Sequence, residues 1–123
     1  MKYKIDTREN FDIITPLYAD FDTILAEQFN ELVDDSRVNG RSLLIDLMNV
    51  NDMDASAWQK METLHHEMYN DNLSLIICHV HSPSKKIIAE LELEHVLNIT
   101  PTMEEAIDLI SMEGLERELL GEE

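Results

Sequence analysis

The stretch that decides the fold is residues 42–59, which read SLLIDLMNVNDMDASAWQ. It opens with an apolar run at residues 43–48, long enough for a strand buried on both faces and too short for an independent helix. Turn-forming residues follow, and from Trp58 onward apolar residues recur at helical spacing. The spacing Ser56-x-x-Gln59 is a capping-box pattern, so we expect Ser56 to cap a helix at the carboxyl end of the strand. Open α/β sheets bind their ligands at this edge.

The composition excludes several classes of protein. Nine Lys and Arg against 26 Asp and Glu give a formal net charge of −17, which repels nucleic-acid phosphates and anionic lipids. The longest apolar runs are far shorter than the roughly 18 residues of a membrane span. The first ten residues hold no secretory signal, and one cysteine cannot form an internal disulfide. We therefore expect a cytoplasmic protein with neither a nucleic-acid nor a membrane partner, folded as a single domain over residues 1–123.

The apolar periodicity predicts nine elements in the order β-β-α-β-α-β-α-β-α. Strands are expected at residues 2–5, 11–14, 43–48, 73–80 and 96–99. Because the later strands alternate with helices, they should pair in parallel. The prediction is therefore an α/β fold with four helices and a five-stranded mixed sheet, mostly parallel.

Capping and turn residues set the predicted helix limits. The first helix begins at Asp20 or Asp22 and stops at Asn39-Gly40, the second covers residues 56–70, the third opens with Ser82 as cap before Pro83, and the fourth opens with Thr102-x-x-Glu105. Gly114 should interrupt the fourth helix. Residues 112–123 would then form an acidic extension to a core of about residues 4–111.

Three stretches carry a family resemblance. They are LLIDLMNVNDMDASA, a buried strand leading into a serine-containing signature; LSLIICHVHSPSKKIIAEL, a strand and a Ser-Pro-opened helix; and ITPTMEEAIDLI, a last strand and a Thr-capped helix. Together they resemble the STAS domain, the fold shared by anti-sigma factor antagonists and the cytoplasmic tails of sulfate transporters. The resemblance implies a STAS-like fold and a non-catalytic, protein-binding role.

The resemblance also implies a site. In the bacterial antagonists the second serine of an Asp-Ser-Ser-Gly signature accepts phosphate from an anti-sigma factor of the serine-kinase type, and that position falls on Ser56. The implied role is a bacterial phosphoprotein that regulates transcription, with Asp54, Ala55, Ser56, Ala57 and Trp58 binding the partner. Here the signature reads Asp-Ala-Ser-Ala, and the methyl of Ala57 stands where a partner would approach closely. This departure motivates an alternative: a STAS-like subunit or scaffold without a phospho-switch, in a lipid-transport complex or a signalling assembly.

The residues alone leave two roles open. Ser56 could accept phosphate at the positive end of a helix, or it could only cap that helix, a role that Asp54 could also fill. Trp58 could anchor a partner, or it could join Met61 and Leu64 on the buried stripe of the helix, which we favour.

The histidines and the cysteine form no recognised metal-ligand spacing. His79 and His81 should share one face at the end of a strand, while Cys78 points the other way. Neither Cys78 nor Ser56 has an evident base that would activate it as a nucleophile. We therefore predict no metal, no cofactor and no catalytic residues.

Overall fold

The structure, a computed structural model, describes residues 3–21 and 23–121. Within these residues the strands are β1 Tyr3–Thr7, β2 Phe11–Pro16, β3 Asp20–Phe21, β4 Ser42–Asp46, β5 Asp52–Met53, β6 Leu75–Cys78 and β7 Asn98–Thr100. The helices are α1 Thr23–Val38, α2 Ala55–Asn70, α3 Ser82–Glu90 and α4 Met103–Gly121. None of these helices is long and apolar enough to cross a membrane. The predicted strand start at Lys2 and the alternative cap Asp22 lie outside the described residues.

Five strands form one sheet in the order β1-β2-β4-β6-β7. The hairpin strand β1 runs antiparallel to β2, and the other three pairings are parallel. The predicted five-stranded mixed sheet and its element order are confirmed. The two-residue strands β3 and β5 pair separately, in parallel, and were not predicted because a strand of two residues leaves no periodic signal.

Successive side chains of a strand point to opposite sides of the sheet. Helices cover both sides here, so both faces of the sheet are buried. In β4, Leu43 and Ile45 join a large cluster covered by α1, α2 and α3, whereas Leu44 joins a smaller cluster covered by α4. The smaller cluster consists of Phe11, Ile13, Leu44, Ile76, Cys78, Ala106 and Ile110. We call these sides the three-helix face and the α4 face.

Two glycines were expected to end helices, and one does. Gly40 has φ +68, and the amide of Arg41 donates to the carbonyl of Ser36 at 2.9 Å, so α1 ends in a left-handed turn as predicted. Gly114 lies inside an unbroken α4, and the predicted interruption is wrong. A single glycine costs a helix only about 1 kcal/mol relative to alanine, which the neighbouring turns offset.

Of the predicted caps of the last two helices, that of α4 is confirmed and that of α3 is wrong. Thr102 caps α4 as expected, since its Oγ1 accepts the amide of Glu105 at 3.2 Å. The cap position of α3 is His81, without a side-chain capping bond, and Ser82 is already helical. The predicted Ser82 cap is therefore wrong by one residue.

A buried polar group ties the hairpin to the exit of α1. The carboxylate of Asp12 accepts the Ser36 hydroxyl at 2.9 Å and the Arg41 Nε at 2.9 Å. Arg41 also donates to the carbonyl of Phe11 at 3.0 Å. The paired charges satisfy Asp12, which is only 8% exposed.

Candidate functional site at the carboxyl edge of the sheet

Strands β2, β4, β6 and β7 are parallel, so their carboxyl ends meet at one edge of the sheet. The loop from β4 to α2 is held in place there. Val50 and Met53 are buried, and the amides of Asn51 and Asp52 both donate to the carbonyl of Ala19, at 2.7 and 3.0 Å. These bonds adjoin the β3–β5 pairing, and they give the chain a fixed path into α2.

The start of α2 is capped by Asp54. Its backbone is extended, with φ −76 and ψ 169, and its Oδ1 accepts the amide of Ala57 at 2.8 Å. The predicted capping by Ser56 is wrong, and the alternative register with Asp54 as cap is the one adopted. A carboxylate at this position satisfies an unpaired amide and lies at the positive end of the helix dipole.

The predicted site residues divide into an exposed group and a buried group. Asp54, Ala55 and Ser56 are exposed, and Ser56 is the second residue of α2. Ala57 and Trp58 are both 0% exposed and belong to the cluster of the three-helix face. The core interpretation of Trp58 is therefore confirmed. Phosphorylation of Ser56 and partner binding remain predictions.

Two apolar side chains at the same edge are exposed. Leu17 was not singled out in the sequence, and Met48 was predicted inside the buried strand, which is wrong because β4 ends at Asp46. Leu17 is 48% exposed and Met48 is 55% exposed. Leu17 follows β2 directly and Met48 lies two residues beyond β4, and these two strands are neighbours in the sheet. A single apolar residue after a strand carries no periodic signal, so only the exposed surface reveals it.

Three polar side chains converge at the ends of β4 and β6. The Oδ1 of Asp46 accepts the amide of Met48 at 3.0 Å and lies 2.8 Å from Nδ1 of His79. The Sγ of Cys78 is 3.9 Å from the same nitrogen. The prediction that Cys78 points away from the histidines is wrong for His79, because His79 has φ 59 and the strand alternation ends at Cys78. Only the backbone conformation could reveal this cluster.

The thiol of Cys78 is not an activated nucleophile. Burial raises its pKa to about 12, and the nearby carboxylate of Asp46 adds to the increase. Nucleophilic chemistry requires a thiolate, so a thiol with this pKa is a poor nucleophile at neutral pH.

The parallel strands and their covering helices define an α/β domain with an exposed helix start at one edge of its sheet. The sequence matches the STAS domain family over residues 2–106. The chain belongs to this family, as its three sequence stretches suggested. None of the curated proteins matches the sequence at a significant level.

Solved structures share the fold. A candidate anti-sigma factor antagonist of Thermotoga maritima superposes with a TM-score of 0.79 at 14% identity, over 89% of this chain and 94% of that one. The Bacillus cell fate determinant SpoIIAA in its phosphorylated form gives 0.66 at 17% identity, over 88% and 98%. The murine anion transporter Solute Carrier 26 family member A9 gives 0.72 at 13% identity, over 87% of this chain and 18% of that one. At these identities the likeness establishes the fold alone.

Proposed function

We propose that this chain is a non-catalytic regulatory module that binds a protein partner, an anti-sigma factor of the serine-kinase type, through the carboxyl edge of its sheet. The observation that carries the proposal is the exposure of Ser56 at the second position of α2, where Asp54 already supplies the cap. The hydroxyl is therefore not needed to cap the helix. Membership of the STAS family and the likeness to anti-sigma factor antagonists support the choice of partner.

The proposed contact surface, which we call the Ser56 surface, consists of Asp54, Ala55 and Ser56 with the apolar side chains of Leu17 and Met48. It combines exposed apolar area with the carboxylate of Asp54, as protein interfaces combine apolar and polar groups. Of the predicted partner-binding residues, Ala57 and Trp58 have a supporting role inside the domain. Their side chains are enclosed and hold the first turn of α2 in place rather than contact the partner.

Phosphorylation of Ser56 would change this surface by charge. A phosphoserine adds nearly two negative charges at neutral pH. Because the Asp54 carboxylate already occupies the amide of Ala57, the new charge would stand beside an existing one and project outward. Lys60 lies one helical turn further along and could only partly neutralise it. A docked partner with apolar or acidic contacts would therefore be released.

The experiment incubates the purified chain with ATP and the serine-kinase-type anti-sigma factors encoded in its own genome. We expect phosphate on Ser56 by mass spectrometry, and none on Ser56→Ala. We also expect Ser56→Asp to weaken partner binding by about tenfold or more. The matched control is Ser111→Asp, which makes the same charge change at an exposed position of α4 that borders a groove at the amino edge of the sheet. It should leave partner binding unchanged.

The second candidate is a STAS subunit or scaffold of a larger assembly, without the switch. The Asp-Ala-Ser-Ala signature motivates it, since alanine replaces the first serine and the glycine of the antagonists' pattern. The Ala57 methyl itself is 0% exposed, so the expectation that it would stand in the path of a partner is wrong. Ser56 that stays unphosphorylated, together with unchanged binding by Ser56→Asp, would contradict the switch. A pull-down that returns transporter or scaffold components, with Ser56→Ala harmless, would support this second function.

A further inference from the structure

We propose that Asp46, Cys78 and His79 bind a zinc ion at the ends of β4 and β6, with water completing the coordination. This proposal is independent of the partner-binding role. The three side chains offer a carboxylate oxygen, an imidazole nitrogen and a sulfur, and these ligand atoms all lie within 4.8 Å of one another. Zinc accepts this mixed donor set, and three protein ligands plus water is a common arrangement for it. Calcium and magnesium prefer oxygen ligands alone.

The distances are close to those of a zinc site. Zinc–ligand bonds of 2.0–2.3 Å in a tetrahedron place neighbouring ligand atoms about 3.3–3.6 Å apart. Here Nδ1 of His79 is 2.8 Å from Oδ1 of Asp46 and 3.9 Å from Sγ of Cys78. One separation must open and the other must close, each by roughly half an ångström or less on this geometry. Rotations of the side chains are sufficient for changes of this size.

The surroundings hold the ligands and leave a route for the ion. The Oδ1 of Asp46 that contacts His79 also accepts the amide of Met48, and Cys78 is held by its packing on the α4 face. Ligands anchored in this way are typical of metal sites. The side chain of His79 is 35% exposed, so the cluster can be reached from solvent, whereas that of Asp46 is only 7% exposed.

The backbone of His79 is the unusual feature. Its φ of 59 is a left-handed conformation that side chains other than glycine adopt at a cost. The contact between Asp46 and His79 accounts for part of this arrangement. It does not require the thiol, however. Zinc would bind Cys78 as a thiolate and release the thiol proton to water, and that ligation can be measured separately.

Cobalt substitution tests the site, because Cys78 is the only cysteine of the chain and any thiolate-to-cobalt charge-transfer band must come from it. We expect this band in the near ultraviolet to saturate at one cobalt per chain, and added zinc to abolish it. Cys78→Ser should lose the band. His79→Asn, which keeps a residue that tolerates left-handed backbone, should weaken zinc binding more than about tenfold in calorimetry.

The matched control is His81→Asn. His81 lies two residues further on and its Nε2 contacts the carbonyl of Met48, outside the three ligands. Its loss should leave the cobalt band and the zinc affinity unchanged. A folded wild-type protein without the thiolate band at one equivalent of cobalt would overturn the proposal. So would a band that saturates at one cobalt per two chains, because the thiolate would then belong to a site shared between copies.

Discussion

The two faces of the sheet differ in how they are closed. On the three-helix face, Phe29, Trp58 and Met68 are fully enclosed among α1, α2 and the strands. On the α4 face a single helix covers the sheet, and the carboxyl-terminal part of that helix leaves Leu115 and Leu119 more than half exposed. The three-helix face provides the deeper core, and the α4 face is a thinner layer.

This difference bears on the candidate sites. Ser56 stands on α2, and the inner side of α2 packs into the deeper core through Trp58 and Met61. A partner at the Ser56 surface would therefore meet a rigid helix start. Cys78 belongs to the thinner face, where it is fully buried beside Ala106 and Ile110 of α4.

The largest effect is expected at Trp58. Trp58→Ala should lower the free energy of unfolding by about 3–5 kcal/mol, because it leaves a large cavity in the deeper core. Trp58→Phe should cost less than about 1.5 kcal/mol, since most of the apolar volume remains and the indole Nε1 has no hydrogen-bond partner among the described residues. Urea unfolding followed by circular dichroism measures both variants. If both variants lost a similar free energy of unfolding, the lost volume would not explain the effect, and the indole nitrogen would have to contribute to stability.

A matched pair on β6 compares the faces directly. Ile77 is 1% exposed toward the three-helix face, and its neighbour Ile76 is 0% exposed toward the α4 face. Truncation of either to alanine should cost about 2–5 kcal/mol. We expect Ile77→Ala to cost more than Ile76→Ala by about 1 kcal/mol, because the thinner layer can collapse onto the cavity. Denaturant titration decides it, and an equal or reversed order would remove the distinction between the faces.

A smaller effect should separate the cap from the exposed serine. Asp54→Ala should lower stability by about 1 kcal/mol, because the amide of Ala57 loses its acceptor. Ser56→Ala should change stability by less than about 0.5 kcal/mol, as exposed positions do. Thermal unfolding of both variants is the measurement. If the two values were exchanged, Ser56 would be the cap and its hydroxyl would be engaged.

The smallest effect is expected at the glycines, and it has opposite signs. Gly114→Ala should stabilise the protein by about 0.5–1 kcal/mol, since it lies within α4 and an added methyl meets no atom within 4 Å. Gly40→Ala meets no atom within 4 Å either, but its φ of +68 should make the change unfavourable by about 1 kcal/mol. Denaturant midpoints compare the two. A stabilising Gly40→Ala would contradict the left-handed end of α1.

The strength of the local signals explains which predictions held. The buried strand β4 was predicted from its continuous apolar run, although it ends at Asp46 and not at Met48, and the helix containing Met61 and Leu64 was predicted from its apolar repeat. The limits were less secure. Asp54 and Ser56 are two residues apart, and both residue types are good helix caps. Which of them caps α2 depends on the path of the preceding loop, which is hydrogen-bonded to the carbonyl of Ala19.

Spacing along the chain predicted the order of the elements and the mostly parallel sheet, because hydrophobic periodicity and turn residues act over short distances. The STAS fold was expected from the resemblance of three stretches of the sequence to that family. The tertiary structure alone decided which side chains of residues 54–58 face solvent, that Asp12 pairs with Arg41, and that Asp46 lies against His79. The two residues of each such pair are about 30 positions apart in sequence, and no local energy term connects them. Their contacts exist only because the sheet aligns the ends of its strands, so the partner surface and the proposed zinc site are properties of the folded domain.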